Sequence, residues 1–458
     1  MPDKYQLGGL SRLNRAHFVG IGGVNMNCLA RLLARRGVSV SGSDRAASSV
    51  TDSLAKEGIA VSIGHGPENV PEGCDLVVYT SAAPADNPEL LEAARRGVPA
   101  EERAVFLGRL MSNYARPVCV AGTHGKTTTT SMLTRMLMAA GANPTSLIGG
   151  SLSGIDGCLL DGGRDVLVAE SCEYHRSFLW FSPFVSVVLN IEEDHLDYYK
   201  DLDDIRGAFS AFARRTAPSG AVVINASIPD CRRIAGGSAE TITFGAPGAD
   251  WTAENIEGGR FDAVYRGRRI LRARLSVLGR HNVDNALAAF AVCRRLGVDL
   301  DLAAEGLTRF TGADRRFQCV GQMNGADVID DYAHHPTEIK ATLSAAREAS
   351  GGKVWAVFQP HTKSRTLTLL DEFAACFEEA DVVIPLDIYI PAGREESRIQ
   401  ITSADLAGRV AASGADTLHI PGFAEAERFL RGNVRAGDIV LCMGAGSVTD
   451  LAARLVSE

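Results

Sequence analysis

The sequence has no long apolar run, no excess of positive charge and no closely spaced cysteine pair. Its apolar stretches, such as residues 184–189, have the length of a strand and fall far short of a membrane span. The formal net charge is −8, and no basic stripe indicates binding to nucleic acid or to a membrane surface. No apolar segment follows residues 1–4, which predicts that there is no signal peptide. We therefore expect partners that are neither nucleic acids nor membranes.

The 10 cysteines are scattered along the chain, and none forms a Cys-x-x-Cys pair. We interpret them as small, buried, apolar side chains in a reducing compartment, and not as disulfides or zinc ligands. The cytoplasm is the location that this interpretation favours.

At 458 residues the chain is too long for one ordinary core, and about 150 residues per domain predicts roughly three domains. Runs rich in Val and Ile alternate with helix-period stretches, a pattern typical of parallel sheets with crossover helices. We predict an α/β fold of three domains, residues 1–114, 115–312 and 313–458. The predicted strands are residues 17–21, 39–43, 76–80, a strand near 98, 117–121, 166–169, 185–190, 354–358, 382–386 and 439–443.

A glycine-containing loop, residues 122–127, stands between a predicted strand and a predicted helix. Glycines allow the backbone to aim its N–H groups at phosphate oxygens, and the helix N-terminus assists them. Lys126 can reach the β- and γ-phosphates of ATP, and the Thr127 hydroxyl can bind Mg²⁺. Val120 replaces the first glycine of the usual loop, so a simple turn with a solvated lysine is the alternative. The predicted ATP-binding residues here are Gly122, Thr123, His124, Gly125, Lys126, Thr127 and Thr128.

Paired glycines near the N-terminus precede another helix. Gly22 and Gly23, with Asp44 about twenty residues later, resemble a dinucleotide-binding fingerprint. Val24 and Asn25 break its usual spacing, so a tight turn without a ligand stays open. If the turn binds a ligand, the helix N-terminus favours a diphosphate, and Asp44 favours a ribose or uracil donor.

Polar residues follow several predicted strands, where ligands collect in α/β sheets. Glu170 and His195 follow two strands of the phosphate-loop block and can hold Mg²⁺. Each has a structural alternative, a cap for Glu170 and a helix start for His195. His334 and His335 lie in a polar cluster after another strand, and we expect at most one of them to act on substrate.

Five ordered segments carry a resemblance to a known family. They are AGTHGKTTT from Ala121, NIEEDHLD from Asn190, HNVDNALAA from His281, DYAHHPTE from Asp331 and FQPH from Phe358. They resemble the Mur ligases of peptidoglycan synthesis over nearly the whole chain, most closely the branch that adds L-alanine to UDP-N-acetylmuramate. The resemblance implies a Rossmann-like UDP-sugar-binding domain, a P-loop-type central ATPase domain and a Rossmann-like C-terminal domain that brings the amino acid.

The resemblance also implies residue roles. Lys126, Glu170 and His195 would be catalytic, with Thr127 and Glu170 binding one Mg²⁺ and His195 binding a second. Further ATP contacts would come from His281, Asn282, Asn285 and Arg315. The UDP-sugar would contact Gly22, Gly23, Asp44, His65 and Ser81, and the amino acid would contact His335, His361 and Arg365.

The chemistry implied by the resemblance follows from charge. A carboxylate is a poor acyl donor, so ATP would phosphorylate it to an acyl phosphate, which the amine of alanine then attacks. Lys126 and two Mg²⁺ ions would offset the repulsion between the two anions. Related ligases that add later peptide residues use a carbamylated lysine in the central domain. This chain has no lysine between Lys200 and Lys340, in agreement with the alanine-adding branch.

Three other functions stay open at this point. A recycling ligase that adds a whole tripeptide to the same UDP-sugar shares most of the motifs. A P-loop kinase or transport ATPase would not need the first or third domain. The chain departs from the family pattern at Val24-Asn25 instead of Ser-Gly, Ser171-Cys172 instead of Ala-Asp, and Thr362 instead of an arginine. Val24, Asn25 and Thr362 motivate a third alternative, a catalytically silent paralogue. Oligomeric state and the preference among alanine, glycine and serine are not predicted.

Overall fold

The computed structural model describes residues 13–457, apart from residues 151, 153, 154, 156, 197 and 392–397. Residues 1–4 and the last residue of the second motif, Asp197, lie outside the described residues. The chain divides into two compact units, one of residues 1–276 and 283–311 and the other of residues 277–282 and 312–458. Among the described residues, no helix has both the length and the apolar character needed to cross a bilayer.

The first unit begins with a five-stranded parallel sheet in the order β3-β2-β1-β4-β5. Its strands are β1 (Arg15–Val19), β2 (Ser39–Asp44), β3 (Ala60–Ile63), β4 (Leu76–Tyr79) and β5 (Ala100–Glu102). Its helices are α1 (Val24–Arg35), α2 (Ser49–Lys56), α3 (Pro88–Arg96) and α4 (Arg103–Met111). β1 is central and its apolar side chains are buried, as expected for a parallel strand covered on both faces. The strand order changes direction beside β1, where ligands bind in such sheets.

A ten-stranded sheet in the order β15-β14-β13-β12-β11-β10-β6-β9-β7-β8 completes the first unit. Its strands are β6 (Arg116–Ala121), β7 (Thr145–Leu147), β8 (Leu159–Leu160), β9 (Val166–Glu170), β10 (Val185–Val188), β11 (Ala221–Asn225), β12 (Glu240–Phe244), β13 (Trp251–Glu257), β14 (Arg260–Tyr265) and β15 (Arg268–Arg274). The helices of this region are α5 (Lys126–Ala139), α6 (Leu202–Ala213), α7 (Cys231–Ile234), α8 (Arg280–Leu296) and α9 (Leu300–Thr308). Two 3₁₀ helices, Pro67–Asn69 and Tyr174–Trp180, also belong to the first unit.

The prediction of strand–helix alternation nearly throughout is wrong for strands β13 to β15. They form an antiparallel extension of the sheet joined by two tight turns. Both turns place two residues at positive φ, Gly258-Gly259 at 53° and 76° and Arg266-Gly267 at 49° and 76°. Such turns match the right-handed twist of a hairpin. Gly-Gly and Arg-Gly were therefore hairpin signals that the sequence analysis missed.

The second unit contains a five-stranded sheet in the order β16-β17-β20-β18-β19. Its strands are β16 (Gln318–Met323), β17 (Ala326–Asp331), β18 (Val354–Phe358), β19 (Val382–Pro385) and β20 (Ile439–Met443). Its helices are α10 (Pro336–Ala349), α11 (Lys363–Thr368), α12 (Leu370–Ala374), α13 (Ser403–Ala412), α14 (Phe423–Asn433) and α15 (Val448–Val456). Alternate residues of β18 enter different apolar cores, Ala356 and Phe358 one and Trp355 and Val357 the other. This sheet is parallel apart from its edge strand β16, which pairs antiparallel with β17. Its two buried faces confirm the predicted α/β class.

The interpretation of all cysteines as reduced is wrong for one pair. Cys28 and Cys158 form a disulfide, with their Cα atoms 5.9 Å apart and 130 positions between them in sequence. Both are buried. Cys28 lies on α1 and Cys158 directly precedes β8, so the packing of the two sheets of the first unit brings the sulfurs together. Spacing in sequence could not predict this contact.

Candidate functional site

The carboxyl ends of β6, β9 and β10 gather the polar residues of the central motifs. β6 pairs with β10 on one side and with β9 on the other, both in parallel register. The phosphate-loop segment follows β6, Glu170 ends β9, and Asn190 to His195 follow β10. Parallel strands end at the same edge of a sheet, so segments that are far apart in sequence meet there.

The phosphate loop adopts a conformation that glycine favours. Gly122 and Gly125 have φ values of 154° and 81°, and a Cβ atom on Gly125 would lie 3.1 Å from Asn285 Oδ1. The loop is also tied to the neighbouring strand end, because the His124 amide donates to Asn190 Oδ1 at 2.8 Å. Asn190 Nδ2 in turn donates to the His124 carbonyl at 3.1 Å. These contacts hold the loop at the start of α5, where backbone N–H groups suit a phosphate.

Lys126 lies within this loop and faces a buried carboxylate. Its ammonium group donates to the Thr123 carbonyl at 3.0 Å and contacts both Glu173 oxygens at 3.2 and 3.1 Å. Burial acts to lower the pKa of Lys126, but Glu173, with smaller effects of Cys172 and Glu170, raises it above its ordinary value. The lysine therefore stays charged, which suits an interaction with phosphate.

Thr127 and Glu170 offer oxygen ligands close together. The Thr127 hydroxyl lies 3.1 Å from Glu170 Oε2, and the Gly149 amide donates to Glu170 Oε1. A Cβ atom on Gly149 would lie 2.4 Å from the Glu170 carboxylate, so only glycine allows this approach. A hydroxyl beside a carboxylate, next to a phosphate-type loop, fits Mg²⁺ bound together with a nucleotide.

His195 lies on the other side of Glu173. Its Nε2 atom is 3.8 Å from Glu173 Oε1, and its ring stacks on Tyr174 with centroids 4.4 Å apart. Its φ is 55°, a backbone conformation unusual for a side chain of this size. The structure thus places Lys126, Thr127, Glu170 and His195 around one edge of the sheet.

Sequence reasoning missed the role of Glu173. The segment of residues 170–173 departs from the family pattern at Ser171 and Cys172, and its last residue, Glu173, contacts both Lys126 and His195. Its carboxylate is 3% exposed, so it requires a nearby cation. The sequence signal for this role was a pair of acidic residues, Glu170 and Glu173, at the end of an apolar strand pattern.

The predicted UDP-sugar residues lie at the carboxyl edge of the first sheet. The Gly22 amide donates to Asp44 Oδ2 at 2.8 Å, which joins the glycine turn to the end of β2. Gly23 caps α1, and His65 and Ser81 follow β3 and β4. The structure therefore brings these five residues to one edge, beside the change of strand order.

The predicted residues of the second unit also follow strand ends. Arg315 donates to the carbonyls of Gly444 and Gly446 at 2.7 and 3.2 Å, and its guanidinium lies over the Tyr332 ring. His335 caps α10, and His361 stacks on Tyr389. Arg365 lies in α11, and its amide donates to the Thr362 hydroxyl at 3.4 Å. Thr362, which replaces the arginine of the family pattern, therefore serves here as the cap of α11.

The adjacent histidines of this unit point to different partners. His334 Nδ1 lies 2.9 Å from the Tyr332 carbonyl and 3.2 Å from Glu338, whereas His335 accepts from the Thr337 amide at 3.4 Å. Of the predicted ATP contacts, His281 and Asn282 lie in the first turn of α8, in the segment grouped with the second unit. Asn285 belongs to the first unit, beside Gly125.

Comparison with known families covers most of the chain. The Mur ligase family catalytic domain matches residues 15–115, the Mur ligase middle domain matches residues 120–293, and the Mur ligase glutamate ligase domain matches residues 315–446. These three matches follow one another in the order expected from the sequence motifs.

Individual relatives agree with the family models. The UDP-N-acetylmuramate–L-alanine ligase of Agathobacter rectalis is 44% identical over 449 residues, 96% of this chain and 97% of that protein. The crystal structure of UDP-N-acetylmuramate-alanine ligase MurC from Thermotoga maritima matches with a TM-score of 0.81 and 30% identity, over 96% of this chain and 98% of that one. A murein peptide ligase from Psychrobacter arcticus has a TM-score of 0.73 and 25% identity, over 96% and 98% of the two chains. This protein belongs to the Mur ligase family.

Proposed function

We propose that this protein is an ATP-dependent ligase that joins L-alanine to the carboxylate of UDP-N-acetylmuramate in peptidoglycan precursor synthesis. The observation that carries the proposal is the 44% identity, over 96% of the chain, to a ligase with this name. The geometry around Lys126, Thr127 and Glu170 supports it, because it suits a nucleotide with its Mg²⁺.

The residues at the carboxyl ends of β6, β9 and β10 would have different roles, which follow from their charges. Lys126 would face the γ-phosphate and offset the charge that develops during phosphoryl transfer to the lactyl carboxylate. Thr127 and Glu170 would hold one Mg²⁺, and His195 would hold a second. Glu173 would keep Lys126 charged and in place, since it contacts the ammonium through both oxygens. The amine of alanine would then attack the acyl carbon, the bond to phosphate would break, and the amide and inorganic phosphate would be the products.

Other residues would bind the UDP-sugar, the remainder of ATP and alanine. Gly22, Gly23, Asp44, His65 and Ser81 would hold the UDP-sugar at the first sheet. Arg315, His281, Asn282 and Asn285 would complete the ATP site, and His335, His361 and Arg365 would contact alanine. We propose the cytoplasm as the place of action, because both ATP and the UDP-sugar are present there.

The decisive experiment measures phosphate release with UDP-N-acetylmuramate and ATP, scanned across amino acids and a murein tripeptide. L-alanine should give the highest kcat/KM, and mass spectrometry should show the UDP-N-acetylmuramoyl-alanine product. Preferred turnover of the tripeptide would indicate a recycling ligase instead. If phosphate release occurs without dependence on the UDP-sugar, the proposal fails and a simple ATPase is the better assignment.

A further inference from the structure

A buried carboxylate lies beneath the proposed UDP-sugar site. Glu89, in the first turn of α3, is fully buried and receives hydrogen bonds from three segments of the first sheet. Its Oε2 atom accepts from the Ser43 hydroxyl at 2.6 Å and lies 3.3 Å from His17 Nε2. Its Oε1 atom accepts from Asn69 Nδ2 at 2.7 Å and from the Gly66 amide at 3.3 Å. So many donors around one carboxylate indicate that it is ionised in the folded protein.

The same cluster reaches His65. His65 Nδ1 lies 3.0 Å from Ser43 Oγ and 3.5 Å from Glu89 Oε1. Although burial acts to raise the pKa of Glu89, its hydrogen bonds with His17, Asn69 and Ser43 lower that pKa to about 2. An ionised carboxylate can only accept hydrogen bonds. Both neighbours of His65 Nδ1 are therefore acceptors, because the single hydroxyl hydrogen of Ser43 is directed at Glu89.

Ser43 also joins this cluster to the glycine turn. Its backbone carbonyl accepts from the Gly20 and Ile21 amides at 2.8 and 2.9 Å. Its side chain lies between Glu89 and His65. His65 has a partly exposed side chain, and no described residue forms a hydrogen bond with its Nε2 atom. The ring therefore presents Nε2 outward, at the edge of the sheet where the glycine turn begins.

We infer that Glu89, acting through Ser43, is a positioning residue that fixes the proton of His65 on Nδ1 and leaves Nε2 as a hydrogen-bond acceptor for the UDP-sugar. This inference rests on the proposed function, since it assigns the role of His65 within the proposed UDP-sugar site. A ring whose Nδ1 holds the proton and whose Nε2 accepts selects a donor on the nucleoside, namely a ribose hydroxyl or the uracil N3–H group. It does not supply a hydrogen to the diphosphate.

Two substitutions test the link between Glu89 and His65. Glu89→Gln preserves the shape of the side chain but leaves it a single oxygen. That oxygen cannot accept hydrogen bonds both from Gly66 and Asn69 and from Ser43. The Ser43 hydrogen should then turn to His65 Nδ1, and the ring should carry its proton on Nε2. Ser43→Ala removes the relay directly. We expect each variant to raise KM for UDP-N-acetylmuramate about tenfold, the order of one lost hydrogen bond. kcat and the KM values for ATP and alanine should stay within about twofold of wild type.

Ser41→Ala is the matched control. Ser41 Oγ contacts His17 Nδ1 at 2.9 Å, on the far side of Glu89 from His65. This variant should leave KM for the UDP-sugar unchanged. Unchanged KM values in Glu89→Gln and Ser43→Ala would overturn the inference, whereas an equal rise in all three variants would indicate a merely structural cluster.

A spectroscopic measurement determines the position of the proton in the wild-type protein, whether or not the Glu89 and Ser43 variants fold. The ¹⁵N resonances of His65 in the wild-type protein, assigned by their loss in His65→Ala, should show the proton on Nδ1. A proton on Nε2, or on both nitrogens, would overturn the inference. The measurement stands even if the protein fails to ligate alanine, so failure of the proposed function and failure of the positioning role are distinguishable.

Nucleotide analogues identify the donor. Calorimetry with UDP, 2′-deoxy-UDP, 3′-deoxy-UDP and N3-methyl-UDP should show weaker binding of one analogue to the wild-type protein. His65→Ala should remove that difference. If all four nucleotides bind equally to the wild-type protein, Nε2 accepts from none of these groups and the inference fails.

Discussion

Charged residues at the carboxyl ends of β6, β9 and β10 compensate one another's charge, although they lie far apart in the sequence. Lys126 and His195 both lie near the Glu173 carboxylate, which is almost fully buried. Removing a cation from such a carboxylate leaves a buried charge with less compensation, a costly arrangement. Substitutions at this edge therefore test both the chemistry and the local charge balance.

Replacing Lys126 with alanine should reduce turnover by at least about a hundredfold, because it removes an electrostatic contact to the transition state. Phosphate release under saturating substrates measures the loss. Because Glu173 would lose its partner, the paired variant Lys126→Ala/Glu173→Gln should recover thermal stability without recovering activity. Near-normal ligation by Lys126→Ala would contradict the assignment of the phosphate loop.

Replacing His195 with alanine should raise the Mg²⁺ concentration needed for half-maximal activity more than it raises KM for ATP. High Mg²⁺ should partly restore the rate, because the remaining oxygen ligands can still recruit the ion. His175→Ala is a suitable control, since His175 belongs to the same aromatic group through Tyr174 but was not predicted to bind metal. Identical metal titrations for His195→Ala and the wild type would mean that His195 is only structural.

At the scale of secondary-structure elements, strand ends position the polar groups. β17 ends at Asp331, a buried carboxylate that accepts from the Phe317 and Ala333 amides, both at 2.7 Å. Burial raises its pKa to about 6, which outweighs the favourable contacts from Arg316 and the two amides. In the unfolded chain the pKa returns to an ordinary value near 3.8.

The pH dependence of stability should reflect this strand end. A raised carboxyl pKa stabilises the folded state below pH 3.8, and that contribution is lost as the pH rises through about 6. The free energy of unfolding of the wild type, relative to Asp331→Asn, should therefore fall by about 3 kcal/mol across this range and stay level above it. Urea unfolding at several pH values measures the difference. A difference between the wild type and Asp331→Asn that does not change with pH would contradict the expected pKa.

At the scale of the whole molecule, each of the two compact units places polar side chains at the carboxyl ends of parallel strands. The predicted division into three domains remains a prediction, although the family models match three successive segments. The absence of lysine between Lys200 and Lys340 bears on which branch of the family the chain represents.

Activity should be insensitive to removal of CO₂ and bicarbonate at mildly acid pH. The stretch between Lys200 and Lys340, where the modified lysine would fall, offers arginines such as Arg206 and Arg214 but no lysine, and a guanidinium stays protonated and does not form a carbamate. Phosphate release by bicarbonate-depleted enzyme, with and without added bicarbonate, is the measurement. Rescue by bicarbonate, or a lysine carbamate found by mass spectrometry, would contradict the alanine-adding assignment.

Local patterns in the sequence determined the α/β class, the phosphate loop and most strands near their observed positions. The strand predicted at residues 354–358 and the helix predicted after Lys126 match the structure because their apolar period and glycine signals act over a few residues. The hairpins around Gly258 and Gly267 were not predicted, because the strand–helix alternation of the rest of the chain favours helical connections.

The tertiary structure alone decided which distant residues share a contact. Glu173 faces Lys126, Glu89 joins His17 to His65, and Cys28 meets Cys158 only because parallel strands end side by side and helices pack across them. No local period carries that information, since each contact depends on the order of strands in a sheet. The sequence by itself therefore determined which kinds of chemistry the chain can perform, and the fold decided which side chains hold one another in place to perform it.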